Sequence, residues 1–159
     1  MAESELGVTL HLVAAATAHM LDRVDVDVFD NPIDPESFRQ FLANPMNQLV
    51  VAVLEDPSDS ARTGTVIGMA SAISYVHPDK PLQTFINEVG VAERYRRHGI
   101  GTRLIEFLLE HARSLGCTEA WVATEVDNAA ARALYRATGG REDTERAVVY
   151  TYDLVDVER

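Results

Sequence analysis

Residues 93–103 read ERYRRHGIGTR and join an apolar, strand-like run to the start of a helical pattern. Two adjacent arginines, a histidine and a Gly-Ile-Gly tripeptide follow one another within this stretch. A glycine-rich turn that leads into a helix exposes main-chain N–H groups in one direction, and the helix dipole adds positive charge there. Glycine also removes the Cβ that would hinder a ligand, and arginine adds charge-assisted hydrogen bonds. The stretch therefore predicts an anion site for a diphosphate, with a solvated surface turn as the alternative.

The glycine spacing excludes two common nucleotide motifs. A Rossmann fingerprint needs a third glycine three residues after Gly101, where Leu104 stands. A P-loop needs Gly-Lys followed by Ser or Thr, which the stretch lacks. What remains is a turn with Arg96, Gly99 and Gly101 between a strand and an amphipathic helix.

Beyond this turn, the pattern predicts two helices and three strands. Apolar residues at helical spacing run from Thr102 to a stop at Gly116, and residues 119–124 then form a strand with Trp121 as a core residue. A second helix begins at a cap, Asp127 or Asn128, and ends at the Gly-Gly pair 139–140. The final strand pair is predicted over residues 141–154.

Upstream of the turn, a helix is predicted to begin at Asp34-Pro35, a cap followed by proline at the first helical position. Residues 48–54 and 65–76 are expected to pair antiparallel around a mobile tip within DPSDSARTG. Residues 84–92 form the next strand and carry Glu88. The helix between this strand and residues 119–124 predicts a parallel crossover, so the sheet is mixed. A first strand (6–13) and a short helix (14–23) precede these elements.

Length and composition favour one globular domain spanning residues 1–159. Hydrophobic residues make up 47% and charged residues 25% of the chain. The single cysteine excludes an internal disulfide and a multi-cysteine metal site. The N-terminus lacks a basic region followed by an apolar one, and no apolar run is long enough to span a membrane. These features predict a cytoplasmic protein without a membrane partner. A net charge of −11 argues against nucleic acid as a binding partner and favours a cationic one. The alternative explanation is that the acidic surplus keeps the protein soluble.

Residues 88–139 resemble the GNAT superfamily of acyl-CoA-dependent N-acyltransferases. VGVAERYRRHGIGTRL (89–104) is similar to the family's coenzyme A segment, and NAAARALY (128–135) to its second conserved segment. The resemblance implies an α/β (α+β) domain with a mixed sheet of six to seven strands and about four helices. The N-terminal part of the sheet is then antiparallel, a parallel central pair is splayed, and acetyl-CoA is the cofactor.

Carried over by position, the resemblance implies that main-chain N–H groups of residues 96–102 hold the coenzyme A pyrophosphate. Val89 and Val91 then bond the pantetheine arm like an added strand, while Asn128 and Ala131 line the channel near the thioester. The implied coenzyme A site consists of Val89, Gly90, Val91, Arg96, Arg97, His98, Gly99, Ile100, Gly101, Thr102, Asn128, Ala131 and Tyr135. Two residues depart from the family pattern, Glu93 in place of a frequent proline and Gly140 in place of a large apolar residue.

Amide formation from a thioester requires an uncharged amine, a polarised carbonyl and an acid for the departing thiolate. Glu88 is the candidate base, and the alternative is a carboxylate on the solvent face of a strand. Tyr135 matches the family's acid, and the alternative is a packing tyrosine. The histidines lack metal-ligand spacing, so no metal site is predicted.

The order of elements, the SYVHPDKP connection (74–81) and the EDTERAVVYTYDL ending (142–154) are most similar to the aminoglycoside 3-N-acetyltransferases. Such polycations fit the acidity of the chain. Candidate substrate ligands are Asp30, Asp34, Glu88, Glu125 and Asp127, which are otherwise caps or solvated charges. Three readings stay open, namely an enzyme for aminoglycosides or similar polyamines, a GNAT enzyme for another amine, and a non-catalytic acyl-CoA sensor. A homodimer is a further expectation.

Overall fold

The computed structural model describes residues 6–58 and 64–155. The elements follow the predicted order along the chain. The strands are β1 Val8–Leu12, β2 Asn47–Leu54, β3 Thr65–Tyr75, β4 Gln83–Val91 and β5 Glu119–Trp121. The α-helices are α1 Pro35–Ala43, α2 Ile100–Ser114 and α3 Ala129–Ala137, and 3₁₀ segments span Ala15–Asp22 and Glu93–Tyr95.

The five strands lie side by side in chain order. The first four pair antiparallel, and β5 pairs parallel to β4 because α2 carries the chain back across the sheet. The prediction of a mixed α+β sheet is confirmed. The described residues form five strands, fewer than the six to seven expected.

Each face of the sheet is covered by its own apolar cluster. On one face, α2 places Leu104, Ile105 and Leu108 against small residues of β3 such as Ala70. The opposite face packs against α1 and the first 3₁₀ segment, with Val51 and Met69 in the centre. Fully burying an aliphatic side chain contributes about 1.5–3 kcal/mol, so both clusters hold the strands in place.

Local sequence signals explain the ends of α1 and α3. The Asp34 carboxylate accepts a hydrogen bond from the Ser37 N–H (2.8 Å) at the start of α1. At the end of α3, the Gly140 N–H donates to the Tyr135 carbonyl and Gly139 has a φ of +92°. A Cβ at residue 140 would lie 2.7 Å from that carbonyl oxygen. Gly140 therefore departs from the family pattern because the turn after α3 requires it.

Predictions for three segments of the chain need correction, and a fourth is not tested. Residues 15–22 form a 3₁₀ segment rather than an α-helix, and none of its residues is fully buried. The predicted strand 119–124 ends at Trp121, which is 45% exposed and not a core residue. Residues 141–154 form no strand, and their side chains are exposed. The mobile tip predicted within DPSDSARTG falls largely outside the described residues.

Among the residues that the structure describes, no helix combines the length and apolar character needed to cross a membrane.

Candidate active site

The free part of β4 lies beside a gap in the sheet. Only Gln83, Thr84 and Phe85 pair with β5, and the remainder of β4 is paired with β3 alone. Apart from the Val91 carbonyl, which accepts a hydrogen bond from Arg96, main-chain groups on that open edge of residues 86–91 are available to an extended ligand, which can add as a further strand. The structure thus brings the predicted pantetheine-binding residues to an unpaired edge.

Hydrogen bonds beneath the sheet surface fix the point where β4 and β5 part. The Thr84 hydroxyl donates to the Cys117 Sγ (3.0 Å) and shares a 2.9 Å hydrogen bond with the buried Ser74 hydroxyl. Thr84 and Ser74 are 1% and 2% exposed, so these bonds are shielded from water. They tie β3, β4 and the start of β5 together just before the splay.

The glycine-rich turn directs main-chain N–H groups away from the core. Arg97 and Gly99 both adopt positive φ (65° and 72°), and α2 begins at Ile100 without a side-chain cap. The first N–H groups of a helix lack partners within the helix, so those of residues 100–102 face outward. The positive end of the helix dipole lies behind them, so this turn has the geometry that the predicted anion site requires.

The cations at this turn differ in what they contact. Arg96 Nε donates to the Val91 carbonyl (3.0 Å), and the His98 Nδ1 lies 2.9 Å from the Arg96 carbonyl oxygen. Arg94 forms an ion pair with the buried carboxylate of Asp25. Within the described part of the chain, no hydrogen bond or ion pair engages the exposed Arg97 side chain. Arg97 is therefore the guanidinium of this turn best able to reach a phosphate.

The two glycines of the turn differ in their surroundings. A Cβ at Gly101 would lie 3.4 Å from a methyl group of Leu134 on α3, an ordinary van der Waals contact. A Cβ at Gly99 would meet nothing within 4 Å, and its positive φ is what favours glycine there. That both glycines clear space for the ligand stays a prediction.

Tyr135 of α3 and Glu125, which precedes that helix, lie close enough for the charge of Glu125 to act on the tyrosine hydroxyl. Half-burial raises the pKa of the Tyr135 hydroxyl, and the negative charge of Glu125 raises that pKa further. Hydrogen bonds from its own main-chain N–H, from Thr124 and from Asn128 lower the pKa of Glu125, so its carboxylate stays charged. Tyr135 is thus a neutral phenol at physiological pH, as a proton donor must be.

Asn128 and Ala131 are joined to each other at the start of α3. The Asn128 Oδ1 accepts a hydrogen bond from the Ala131 N–H (3.1 Å), so the asparagine side chain caps the helix. Asp127 precedes this cap and is exposed. The predicted contacts of Asn128 and Ala131 with the cofactor, and of Asp127 with substrate, remain predictions.

Glu88 lies on the opposite face of the sheet from α2. It is exposed and stands across from Ser71 of β3, and a bulge in β4 precedes it. Two residues on, Gly90 has no room for a side chain because a Cβ there would overlap the main-chain oxygen of Val28. The loop between the first 3₁₀ segment and α1 therefore crosses β4 directly beside Glu88.

This crossing loop is acidic. Residues 24–34 contain four aspartates and no lysine or arginine; the aspartates are Asp25, Asp27, Asp30 and Asp34. Asp25 is held by Arg94, and Asp34 caps α1 through Ser37, whose N–H lowers the pKa of that carboxyl. Of the two predicted substrate ligands on this loop, Asp34 thus has a structural partner and Asp30 remains exposed.

A row of aromatic side chains continues the Glu88 face toward β5. The ring centroids of Phe85 and Trp121 are 4.4 Å apart, and the Trp121 indole N–H donates to the Tyr75 hydroxyl (2.6 Å). Tyr75 donates in turn to Gln83 (3.2 Å). We call Tyr75, Phe85 and Trp121 the aromatic shelf. The sequence analysis did not predict this shelf because it placed Trp121 in the core. The spacing of Gln83 and Phe85, two residues apart on one strand, could have indicated that their side chains share a face of the sheet.

The chemistry of the site has counterparts among known proteins. Residues 11–139 match the sequence profile of the acetyltransferase (GNAT) family. The chain belongs to the GNAT family. As in that family, acetyl-CoA is its cofactor, and the open edge of β4 together with the glycine-rich turn fits this cofactor.

Sequence relatives of this GNAT chain include two kinds of N-acetyltransferase. The N-alpha-acetyltransferase RimI of Mycobacterium tuberculosis is 33% identical over 135 residues, which cover 83% of this chain and 77% of the relative. The aminoglycoside N(6')-acetyltransferase type 1 of Serratia marcescens is 39% identical over 70 residues, which cover 44% and 47% of the two chains.

Solved structures share the fold. An aminoglycoside acetyltransferase from an uncultured soil metagenomic sample, in complex with sisomicin, matches with a TM-score of 0.74 over 94% of this chain and 97% of the other. The aminoglycoside N-acetyltransferase AAC(6')-Iy in complex with CoA matches with a TM-score of 0.69 over 91% and 94%. Both are 20% identical to this chain, so the likeness concerns the fold alone. The structural relatives are 6'-acetyltransferases where a position is named, and the expected 3-N branch stays a prediction.

Proposed function

We propose that this GNAT N-acetyltransferase acetylates a primary amine of a polycationic small molecule, with aminoglycosides as the foremost class. The packing of Val28 on Gly90 carries the proposal, because it sets an acidic loop beside Glu88. Carboxylates lining one side of a cleft attract ammonium groups and raise their local concentration. A net charge of −11 extends the same attraction over the whole chain.

The aromatic shelf supports an acceptor that carries a ring. Residues that pair across neighbouring strands have their side chains on the same face of the sheet. Ser71 and Ile73 of β3 pair with Glu88 and Phe85 of β4, and Phe85 pairs with Trp121 of β5. Tyr75 lies two residues after Ile73 and so shares this face. Phe85 therefore lies about 7 Å from Glu88, one side-chain row along the strand. A ring lying on Phe85 and Trp121 would leave an attached amine within reach of Glu88. Glu119, which accepts a hydrogen bond from Gln83 (2.9 Å), adds a carboxylate at the edge of the shelf.

In this proposal, acetyl-CoA supplies an activated acetyl thioester, and two side chains manage the protons. Glu88 accepts a proton from the ammonium group of the acceptor, directly or through water, so that the nitrogen lone pair is free to attack. As the C–N bond forms and the C–S bond breaks, Tyr135 donates its hydroxyl proton to the leaving sulfur, and the second proton shed by the nitrogen returns through water to the phenolate. Main-chain N–H groups near Val89 and Val91 polarise the carbonyl oxygen of the acetyl thioester. Neither step requires a nucleophilic side chain.

A peptide or protein N-terminus is the second candidate acceptor. The 33% identity to RimI over 83% of the chain favours it, because that relative is an N-alpha-acetyltransferase. An α-amine followed by an extended chain would also fit beside the sheet, with an apolar first side chain on the aromatic shelf.

A thiol-release assay with acetyl-CoA, run against aminoglycosides, linear polyamines, amino acids and short peptides, separates the candidates. Mass spectrometry of each product then locates the new amide. We expect aminoglycosides or polyamines to react fastest, with turnover that declines as salt screens the acidic loop. Faster turnover of peptides would select the second candidate. Acetyl-CoA binding without any transfer would instead identify a sensor.

A further inference from the structure

Ser71 of β3 has a shielded hydroxyl that the protein itself does not bond. The residue is 8% exposed, and no hydrogen bond joins its hydroxyl to any residue of the ranges 6–58 and 64–155. No fully enclosed side-chain oxygen or nitrogen in these ranges lacks a partner, so the Ser71 oxygen must reach the surface through a narrow opening. Ser74, also buried on β3, instead bonds to Gln48 and Thr84. The two buried serines of this strand therefore differ in kind.

Ser71 and its cross-strand partner Glu88 lie between two features of the acceptor side of the site. The next pair on the same face in one direction contains Gly90, which Val28 of the acidic loop covers. The next pair in the other direction contains Phe85 of the aromatic shelf. Partners across a strand pair share a face of the sheet, so Ser71 and Glu88 form the floor between the loop and the shelf.

The other neighbours of Ser71 on this face are apolar. Leu49 of β2 is its second cross-strand partner, and Met69 and Ile73 lie two residues before and after it on β3. Leu49 and Met69 belong to the apolar cluster on this side of the sheet. A shielded hydroxyl without a partner costs free energy, so this one favours a bonding partner from outside the chain. Of these neighbours, Glu88 alone is polar.

The spacing of Ser71 and Glu88 suits one bridging water. Residues directly opposite each other in an antiparallel pair have Cβ atoms about 4.5–5.5 Å apart. The long glutamate side chain extends beyond the short serine side chain, and the two form no direct hydrogen bond. A water molecule can bond both groups across such a gap at little cost in free energy.

We propose that Ser71 is a positioning residue, which holds the water through which Glu88 takes a proton from the acceptor. The water donates one hydrogen to the Glu88 carboxylate and the other to the Ser71 Oγ, so a lone pair of the water faces the ammonium group. As an N–H bond of the ammonium breaks, its proton joins the water, which passes one of its own protons to the carboxylate. A free amine, a water and a neutral carboxylic acid result. This inference rests on the proposed role of Glu88 as the base, and it holds for either candidate acceptor.

The melting temperature of Ser71→Ala tests whether the hydroxyl serves the fold. This change removes the oxygen and leaves the strand and its apolar neighbours in place. Because the hydroxyl has no partner within the protein, we expect the melting temperature to stay the same or to rise. Ser74→Ala is the matched control, since it breaks the bonds to Gln48 and Thr84 and should lower the melting temperature. A drop of equal size in Ser71→Ala would mean that its hydroxyl is structural, contrary to the proposal.

A double-mutant cycle with Glu88→Gln tests whether Ser71 acts through Glu88. The acceptors are sisomicin, which one structural relative binds, and a short peptide with a free N-terminus. We expect Ser71→Ala to lower kcat about threefold to tenfold when Glu88 is present, with an unchanged KM for acetyl-CoA. In the Glu88→Gln background the same change should have no further effect. Equal losses in both backgrounds would contradict a role through Glu88.

The remaining outcomes separate this inference from the proposed function. No transfer to any amine of the panel, or a wild-type kcat in Glu88→Gln, would overturn the proposed function or its base, and this inference with it. A slow Glu88→Gln enzyme beside an unaffected Ser71→Ala enzyme would overturn this inference alone. A crystal structure of the complex with CoA should show ordered solvent within hydrogen-bond distance of both the Ser71 Oγ and a Glu88 carboxylate oxygen. Solvent that bonds Glu88 and not Ser71 would also contradict the proposal.

Discussion

The carboxylate of Glu125 lies close enough to the hydroxyl of Tyr135 for its negative charge to raise the pKa of that hydroxyl. Half-burial is the larger cause of the raised tyrosine pKa, and Glu125 adds to it. Both effects keep the phenol protonated, which suits the role of proton donor that we propose for it.

Replacing Tyr135 by phenylalanine should slow acetyl transfer while leaving cofactor binding intact. We expect kcat to fall by about a hundredfold, the lower end of the range for a general acid, with an unchanged dissociation constant for acetyl-CoA by calorimetry. Tyr95→Phe is the matched control, because Tyr95 is also half-buried and its ring, not its hydroxyl, contacts Arg94. Equal kcat values in both variants would exclude Tyr135 as the acid.

Much of this site follows from the sequence because local signals dominate it. The turn at Gly99, the cap at Asn128 and the Gly-Gly stop after α3 are each determined by a few neighbouring residues, and each lies where predicted. The predictions for Trp121 and for residues 141–154 were wrong because the state of these residues depends on distant partners. Trp121 is exposed since β5 stays an edge strand, and residues 141–154 have a strand-like pattern but pair with no strand among the described residues.

Replacing Glu125 by glutamine should change the pH dependence of kcat. The raised pKa of Tyr135 means that activity is present below that pKa and is lost as pH rises through it. Without the charge of Glu125, the tyrosine pKa falls toward its ordinary value of 10.0, so the alkaline limb of the kcat profile moves to lower pH. Glu110→Gln removes the same charge from the exposed surface of α2 and should leave the limb in place. The pH profiles of kcat are measured with the amine acceptor at a saturating concentration.

The same tyrosine predicts a trend in stability. A pKa that is raised on folding stabilises the native state below the unfolded pKa, and this contribution disappears as pH rises through the folded pKa. The melting temperature of the wild type should therefore decline at alkaline pH more steeply than that of Tyr135→Phe. Parallel declines in the two proteins would show that ionisation of Tyr135 is not linked to folding.

Replacing Gly90 by alanine should displace the acidic loop. The new methyl group overlaps the main-chain oxygen of Val28, and neither strand nor loop can yield without distortion. We expect the free energy of unfolding to fall by about 1–3 kcal/mol and the KM for a cationic acceptor to rise. Gly7→Ala is the control, since a Cβ there meets nothing within 4 Å. An unchanged KM in Gly90→Ala would separate the loop from acceptor binding.

Replacing Arg97 by asparagine tests whether this guanidinium contacts the cofactor pyrophosphate, as we propose. Asparagine tolerates the positive φ of this position, so the change removes charge with little added backbone strain. We expect the dissociation constant for acetyl-CoA to rise about threefold to tenfold, with a weaker dependence on salt. Arg113→Asn, at the far end of α2, changes the net charge equally and should leave binding unaffected. Equal affinities in the two variants would mean that main-chain N–H groups alone hold the phosphates.

Replacing Trp121 by leucine should affect the acceptor and not the cofactor. Its ring packs on Phe85 and its indole N–H donates to Tyr75, one to two side-chain rows from Glu88, whereas the glycine-rich turn lies beyond the other end of β4. Aromatic contacts contribute about 0.5–1.5 kcal/mol beyond their buried area, so the KM for a ring-bearing acceptor should rise about threefold to tenfold. Trp121→Phe retains a ring and should restore most of that affinity. For a linear polyamine, both variants should have wild-type KM values, because such a molecule needs the carboxylates and not the shelf. If the two acceptors respond alike, Trp121 supports the fold of the edge strand and does not select the substrate.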